Sequence, residues 1–421
     1  MTATARPLRI AFVAYRGNMQ CGGQGIYLWF LARELVRQGH AVDVIVGPPY
    51  PDPMPFAGDV VHVPNEMYWA KWFLRDWVAF VPRGDALRAL RPLNFYELMA
   101  SRLGFLPEPF AFSLRALGAL AGRLRAGRRY DLVHDVQCLG YGLLPMRAMG
   151  LPVVTTVHHP LTVDRRASFQ RDETFTDVVG SMQFYPIGMQ SFVARRLDRV
   201  LTSSDASAAM IARDFGVRPD RIANVANGLD TDLFSPDPSV PREERTLLCV
   251  GRASDPNKGI RTLIAALART DPTTRLVLVD SPESDARKWA HELGCGDRLR
   301  LAGRVPEAEL VRLYRSASLV VVPSRYEGFG LPAAEAMACG TPVVATRAGA
   351  LAEVMATGGG GETVPSDDPG ALAAAITRLL DAPAQRAALG EAARARIVAA
   401  YAWPSVAART ASEYARVVAE R

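Results

Sequence analysis

Residues 9–46 read RIAFVAYRGNMQCGGQGIYLWFLARELVRQGHAVDVIV. The run 9–15 is continuously apolar after Arg9, as a strand buried on both faces requires, and Arg16-Gly17-Asn18 closes it. Glycine-rich Cys21-Gly22-Gly23-Gln24-Gly25 reads as a loop, 26–38 as a helix stopped by Gly39, and 41–46 as a second strand. Further strands of this kind are expected at 131–134, 152–157 and 199–202, with helices between them. The stretch 235–244 is rich in proline and charge and reads as a linker. The pattern then restarts, with strands at 246–251, 276–279, 299–302, 319–322 and 342–346. Strands alternating with helices predict α/β architecture: two Rossmann-like, doubly wound parallel sheets. The divisions are 1–237, 238–400 and a closing helix at 401–421 that crosses back to the first domain. Ligands of such sheets bind beyond the carboxyl ends of the strands, so two facing domains imply a central cleft.

Composition narrows the class. The 421 residues are 49% hydrophobic and 22% charged, the balance of an ordinary globular chain. Five cysteines, at 21, 138, 249, 295 and 339, form no CxxC and no disulfide framework. No apolar run approaches the roughly 18 residues of a membrane span, and the start lacks a signal-peptide pattern. A soluble cytoplasmic protein is expected. The net charge is +6, and its basic excess lies in the N-terminal half. It suits an anionic partner, such as the inner membrane face or a phosphorylated acceptor. The bland alternative is coding bias, since only Lys71, Lys258 and Lys288 among the 49 basic residues are lysines. No nucleic-acid motif is present.

Residues 66–113 break the alternation. Trp69, Trp72, Phe73, Trp77, Phe80, Phe95, Tyr96, Phe105, Phe110 and Phe112 mix there with Lys71, Arg75, Arg83, Arg88 and Arg91. This aromatic and basic insertion is either the core of a helical subdomain or a surface for an amphiphilic acceptor or a membrane.

The strongest chemical signal is 325–349, RYEGFGLPAAEAMACGTPVVATRAG. Glu327 follows a predicted strand, Gly328-Phe329-Gly330 makes a loop, Pro332 suits a first helical turn, and Glu335 lies about one turn in. The free N–H groups of Gly330, Leu331 and neighbours at a helix N-terminus suit a diphosphate. Glu335 is placed to accept bonds from a ribose diol, and Glu327 from a sugar. Upstream, Arg252 and Lys258 share one strand-end loop, where both reach a phosphate pair.

Together these segments resemble glycosyltransferase family 4, with the two-Rossmann-domain glycosyltransferase B fold. The matching parts are Gly22–Gly25, Gly251-Arg252, Lys258-Gly259, Glu327 with Glu335, Gly340-Thr341-Pro342, and Asn227-Gly228-Leu229-Asp230 with Phe234. The resemblance implies sugar transfer from a nucleotide-diphosphate donor with retention at the anomeric carbon. It puts Arg252 and Lys258 on the diphosphate, Glu335 on the ribose and Glu327 on the donor sugar. Gly328, Phe329, Gly330 and Leu331 supply backbone contacts, while Gly22, Gly23, Gln24 and Gly25 cap the diphosphate. His158, ending a first-domain strand, is the matched histidine for the donor sugar; His159 competes with it by spacing, and Asp135 is a candidate to orient it. The resemblance implies no metal or other cofactor, and Asp230-Thr231-Asp232 is read as structural. Asp280-Ser281-Pro282-Glu283 departs from the glycine-rich turn usual after the second strand of that domain. Rival readings are a nucleotide-sugar epimerase, a phosphorylase on the same fold, or a non-catalytic nucleotide-sugar binder. The acceptor is left between a lipid and a small soluble molecule.

Overall fold

The computed structural model describes residues 6–19, 23–66, 86–158, 160–162, 165 and 186–421. They fall into two compact units. One comprises Met1–Ser203, Ser207–Val225 and Ala407–Arg421; the other comprises Ser204–Ala206 and Ala226–Val406.

The first unit carries seven strands: β1 (Arg9–Ala14), β2 (Ala41–Val46), β3 (Asp59–His62), β4 (Leu132–Val136), β5 (Val153–Thr156), β6 (Arg199–Thr202) and β7 (Ile222–Asn224). Their order is β3-β2-β1-β4-β5-β6-β7, every pair parallel. The second carries β8 (Thr246–Val250), β9 (Arg275–Val279), β10 (Leu299–Leu301), β11 (Leu319–Val322), β12 (Val343–Thr346) and β13 (Gly361–Val364). Its order is β10-β9-β8-β11-β12-β13, again all parallel. In each sheet the order reverses beside the first strand. At such a point the loops after two adjacent strands normally leave to opposite faces and open a crevice. In the first sheet β1 lies between β2 and β4; in the second, β8 lies between β9 and β11.

Three strands escape the sequence reading: β3, β7 and β13. All are sheet edges of three or four residues. An edge strand has one neighbour and is incompletely covered, so DVVH, IAN and GETV need no sustained apolar run.

Six helices bear on the site: α1 (Gly23–Arg37), α2 (Pro92–Arg102), α3 (Glu108–Arg125), α4 (Leu331–Ala338), α5 (Pro383–Tyr401) and α6 (Trp403–Ala419). The helix expected from Ile26 starts at Gly23, so Gly23, Gln24 and Gly25 are its first turn instead of a loop. Within the insertion, α2 and α3 are helical as that reading requires. Phe112 is buried in the core, whereas Phe95, Tyr96 and Phe105 are exposed. Trp69, Lys71, Trp72, Phe73, Arg75, Trp77, Phe80 and Arg83 lie outside the described residues.

The boundary expected at 237/238 moves to 225/226. Residues 226–237 are welded to the second unit. Leu229 N–H donates to Tyr401 O at 2.7 Å, and Phe234 packs perpendicular to Tyr314 at 6.0 Å. Arg394 on α5 donates to the carbonyls of Thr231, Phe234 and Ala338 at 2.6–2.9 Å. The linker composition marks exposure, which a surface strap shares. The later boundary also shifts: the second unit runs to Val406, and Ala407–Arg421 group with the first.

A fragment spanning 226–406 therefore unfolds in urea as one cooperative unit. A fragment spanning 238–400 lacks Leu229, Phe234 and their anchors, and its stability falls by at least about 3 kcal/mol.

Candidate active site

In the second unit, two loops that are far apart in sequence are locked together. After β8 the chain turns at Gly251 and makes a short 3-10 turn over Pro256–Lys258. Asp255 starts that turn by accepting from Asn257 N–H at 3.0 Å. Gly259 ends it at φ +63°, where a Cβ would lie 2.0 Å from Pro323 O, just after β11. Only glycine permits that approach. Arg325 N–H donates to Asn257 O at 2.7 Å and adds a second stitch.

The stitching brings Lys258 Nζ to 2.7 Å from Glu327 Oε1. Ser324 Oγ donates to the same oxygen at 2.8 Å. The Glu327 side chain is 10% exposed and the Lys258 side chain 28%, so the pair is only partly wet. The separate assignments, Lys258 to phosphates and Glu327 to sugar, overlooked that each is already the other's partner. Gly349, at φ +52°, lets Ala350 N–H reach Glu327 O at 3.2 Å and pins the glutamate's backbone.

Gly330 caps α4 at φ +98° and offers no side chain. Ala333 and Ala334 turn their N–H groups back to Gly330 O, and Pro332 has none. The N–H groups of Gly330 and Leu331 thus belong to the open end of the helix, where the backbone dipoles are positive. Phe329 is buried and packs perpendicular to Tyr401 at 5.3 Å, so its side chain is a core anchor beneath Gly328 and Gly330. Arg252 is exposed and has no ion pair with a described residue.

Its loop is held by Asp280. Oδ2 of that residue accepts from Ala253 N–H at 2.8 Å and from Ser284 Oγ at 2.6 Å, and Oδ1 accepts from Ser281 N–H at 2.7 Å. The departure from a glycine-rich turn is therefore an acidic clasp. Half-buried Glu335 receives the Tyr314 hydroxyl at 2.7 Å. Burial pushes its carboxyl up to about 7, against the opposing pull of that hydrogen bond.

The first unit holds the remaining candidates. Gly25 is packed against loop backbone, since a Cβ would lie 2.2 Å from Asn18 O, whereas Gly23 faces open space. Gln24 Nε2 donates to Tyr15 Oη at 3.4 Å. Gly22 and His159 lie outside the described residues. His158 follows β5; its N–H donates to Gln137 Oε1 at 3.1 Å, and its ring stands perpendicular to Tyr27 at 4.8 Å.

Asp135 does not orient the His158 ring as expected. Its fully buried carboxyl accepts from Thr155 Oγ1 at 2.8 Å, Leu139 N–H at 3.1 Å and Cys138 N–H at 3.3 Å. Burial pushes it up to about 7. These bonds brace a turn in which Gln137 and Leu139 adopt positive φ, +52° and +51°. The braced turn delivers Gln137 to His158. In Asp230-Thr231-Asp232, Asp230 Oδ1 accepts from the N–H groups of Asp232 and Leu233, both at 3.1 Å, which makes it a turn cap.

Chemically, the second unit offers a guanidinium, an ammonium and helix-end amides for an anion, with two carboxylates as hydroxyl acceptors. Gln137, Tyr27, Asp280, Ser324 and Tyr314 were missed by the sequence reading. Gln137, Tyr27, Asp280 and Tyr314 act through contacts more than 20 residues away, so local spacing carries no trace of them, whereas Ser324 lies three residues from Glu327 and directly before the motif.

Two family profiles match the chain: "Glycosyl transferases group 1" over residues 230–396 and "Glycosyl transferase 4-like domain" over 22–228. The chain is 38% identical to the MMP alpha-(1->4)-mannosyltransferase of Mycolicibacterium hassiacum, over 98% of its own length and 99% of that protein's. It is 30% identical to the D-inositol 3-phosphate glycosyltransferase of Streptosporangium roseum, covering 96% and 90%. The sucrose-phosphate synthase of Thermosynechococcus elongatus superposes with a TM-score of 0.70 at 25% identity, covering 98% of this chain and all of that one.

Removing one member of the partly buried pair leaves the other without its counter-charge. Lys258→Met is expected to lower stability at pH 7 by about 1–3 kcal/mol, and adding Glu327→Gln to restore most of it. A thermal or urea double-mutant cycle measures the coupling.

Proposed function

The chain belongs to the glycosyltransferase family described by the group 1 and 4-like domains, and from that premise we propose that it moves a hexose from a nucleotide-diphosphate sugar to a saccharide or polyol hydroxyl with retention. Mannose is the sugar this reading favours, because the full-length relative at 38% identity is a mannosyltransferase. Its α-(1→4) product linkage is one that retention gives from an α-linked donor. The observation that supports the chemistry is the Lys258–Glu327 pair on two stitched loops, one of which carries Arg252 and the other of which leads into the α4 N-terminus.

As the anomeric C–O bond breaks, negative charge grows on the diphosphate and positive charge on the sugar. Arg252, Lys258 and the N–H groups of Gly330 and Leu331 stabilise the first, so the reaction is assigned no metal ion. Lys258 neutralises phosphate from one side while Glu327, aligned by it and by Ser324, accepts from a donor-sugar hydroxyl. Glu335 takes the ribose diol, which donates two hydrogens and therefore favours the ionised carboxylate. His158 is assigned to orienting the sugar. No nucleophilic side chain is invoked: the acceptor oxygen attacks on the face that the diphosphate leaves, and a phosphate oxygen takes the acceptor's proton.

A second reading concerns the acceptor side. Leu87, Leu90, Phe95, Met99, Leu103 and Phe105 are exposed beside Arg88, Arg91 and Arg102. Apolar groups interleaved with cations favour peripheral contact with an anionic membrane. Among the described residues, no helix is long and apolar enough to cross a membrane.

Incubation with UDP-glucose and GDP-mannose in EDTA, with sugar and inositol acceptors, is expected to give an α-linked product by NMR. Glu327→Ala and Lys258→Ala each lower turnover more than about tenfold with the fold intact. Wild-type turnover in either variant would remove the site assignment. Because Glu335 titrates near 7, donor affinity is expected to rise between pH 6 and 8, and Glu335→Gln to flatten that rise. For the membrane reading, the chain should sediment with phosphatidylglycerol vesicles but not phosphatidylcholine vesicles, and Leu87→Glu with Leu90→Glu should release it.

A further inference from the structure

We propose that Tyr27 is a positioning residue for the His158 ring, and that Thr156, His134 and Tyr414 hold Tyr27 in place, so that helix α6 takes part in setting the site. This rests on the reading of His158 as a sugar-orienting group.

The four side chains form one hydrogen-bonded chain inside the first unit. Tyr27 Oη lies 2.9 Å from Thr156 Oγ1, Thr156 Oγ1 lies 2.7 Å from His134 Nε2, and His134 Nδ1 is hydrogen-bonded to the Tyr414 hydroxyl. None of the four is more than 3% exposed. They come from α1, β5, β4 and α6. The chain therefore ties the helix whose first turn is Gly23-Gln24-Gly25, the strand that leads to His158, and the C-terminal helix.

Burial holds His134 neutral, its ring titrating down at about 3. A neutral ring has one donor and one acceptor nitrogen. Its two bonds therefore run in a single sense: if Nε2–H donates to Thr156, Nδ1 accepts from Tyr414, and the reverse holds for the other tautomer. Replacing Tyr414 by phenylalanine removes one partner and frees the ring to change tautomer, which alters what Thr156 offers to Tyr27. His134 cannot swing aside, because Phe12 covers it at 4.8 Å and Tyr27 stands perpendicular to it at 6.2 Å.

The far end of the chain is Tyr27 against His158, perpendicular at 4.8 Å between centroids. Gln137 and Ser203 hold the His158 main chain, at 3.1 and 3.4 Å, but main-chain bonds leave the ring's rotation unset. The Tyr27 ring supplies a wall for that rotation. A residue held only for core stability needs no such polar relay, since a buried phenylalanine fills the same volume without hydroxyl partners to satisfy.

The test uses the full chain and acceptor-free hydrolysis of UDP-glucose or GDP-mannose, with kcat and KM separated. Tyr27→Phe and Tyr414→Phe are each expected to lower kcat about three- to tenfold while KM stays within about twofold, and the double variant to be no worse than the poorer single one. Tyr27→Ala, which removes the wall itself, is expected to lower kcat further. The nitrogen-15 ring resonances of His158 should shift in Tyr414→Phe, a change that loss of stability alone does not produce. Multiplying kcat losses, unchanged His158 resonances, or losses confined to thermal stability would overturn the proposal. His158→Ala separates the two levels: if it keeps wild-type hydrolysis, the role of His158 fails. If it is inactive while the tyrosine variants hydrolyse normally, only the positioning chain fails.

Discussion

Everything the second unit offers a ligand depends on one close approach, the backbone of Gly259 against the carbonyl of Pro323. Loops from neighbouring parallel strands normally leave a crevice to opposite faces. Here the loop after β8 instead leans onto the loop after β11, and the absence of a Cβ allows it. Lys258 is thereby carried to Glu327, and the β8 loop, with Arg252 on it, is fixed against β11. The same position is hostile to any other residue twice over, by its positive φ and by the 2.0 Å clash. Asp280 then performs on the opposite flank what Gly259 performs here, clasping the same loop to the end of β9 through Ala253.

The two units use different physics for comparable tasks. In the second, charge meets charge at a half-wet surface, and positive helix-end amides lie beside it. A cation and a carboxylate in contact keep each other oriented, yet both remain open enough to exchange a partner for a ligand. In the first, the polar groups around β4 and β5 are almost wholly buried. Burial raises Asp135 to about 7 and lowers His134 to about 3, shifting each toward its uncharged form. Such groups define geometry without adding a field.

The corrections share one physical cause. Asp135 was placed near His158 by proximity in the sheet, but a buried carboxylate takes the nearest unpaired N–H groups, here those of its own turn, and reaches His158 only through Gln137. The linker at 235–244 was read from composition, but proline and charge mark exposure, and an exposed strap can still be anchored through its backbone, here by Arg315 donating to the Ser235 carbonyl, and Arg394 holds the residues just before it. Phe234, just before that stretch, hinted at burial.

The sequence by itself determined the two parallel sheets, because continuous apolar runs separated by helical segments have few other ways to be buried. It also determined which loops matter, because glycines, a first-turn proline and paired carboxylates mark backbone that must bend or end a helix. What only the tertiary structure decided is partnership: Lys258 with Glu327, Tyr314 with Glu335, Asp280 with the Arg252 loop, and Tyr414 with His134. Those pairs span from 21 to 280 residues of chain. Nothing in local periodicity encodes them, since each is chosen by which strands, loops and helices the fold sets side by side.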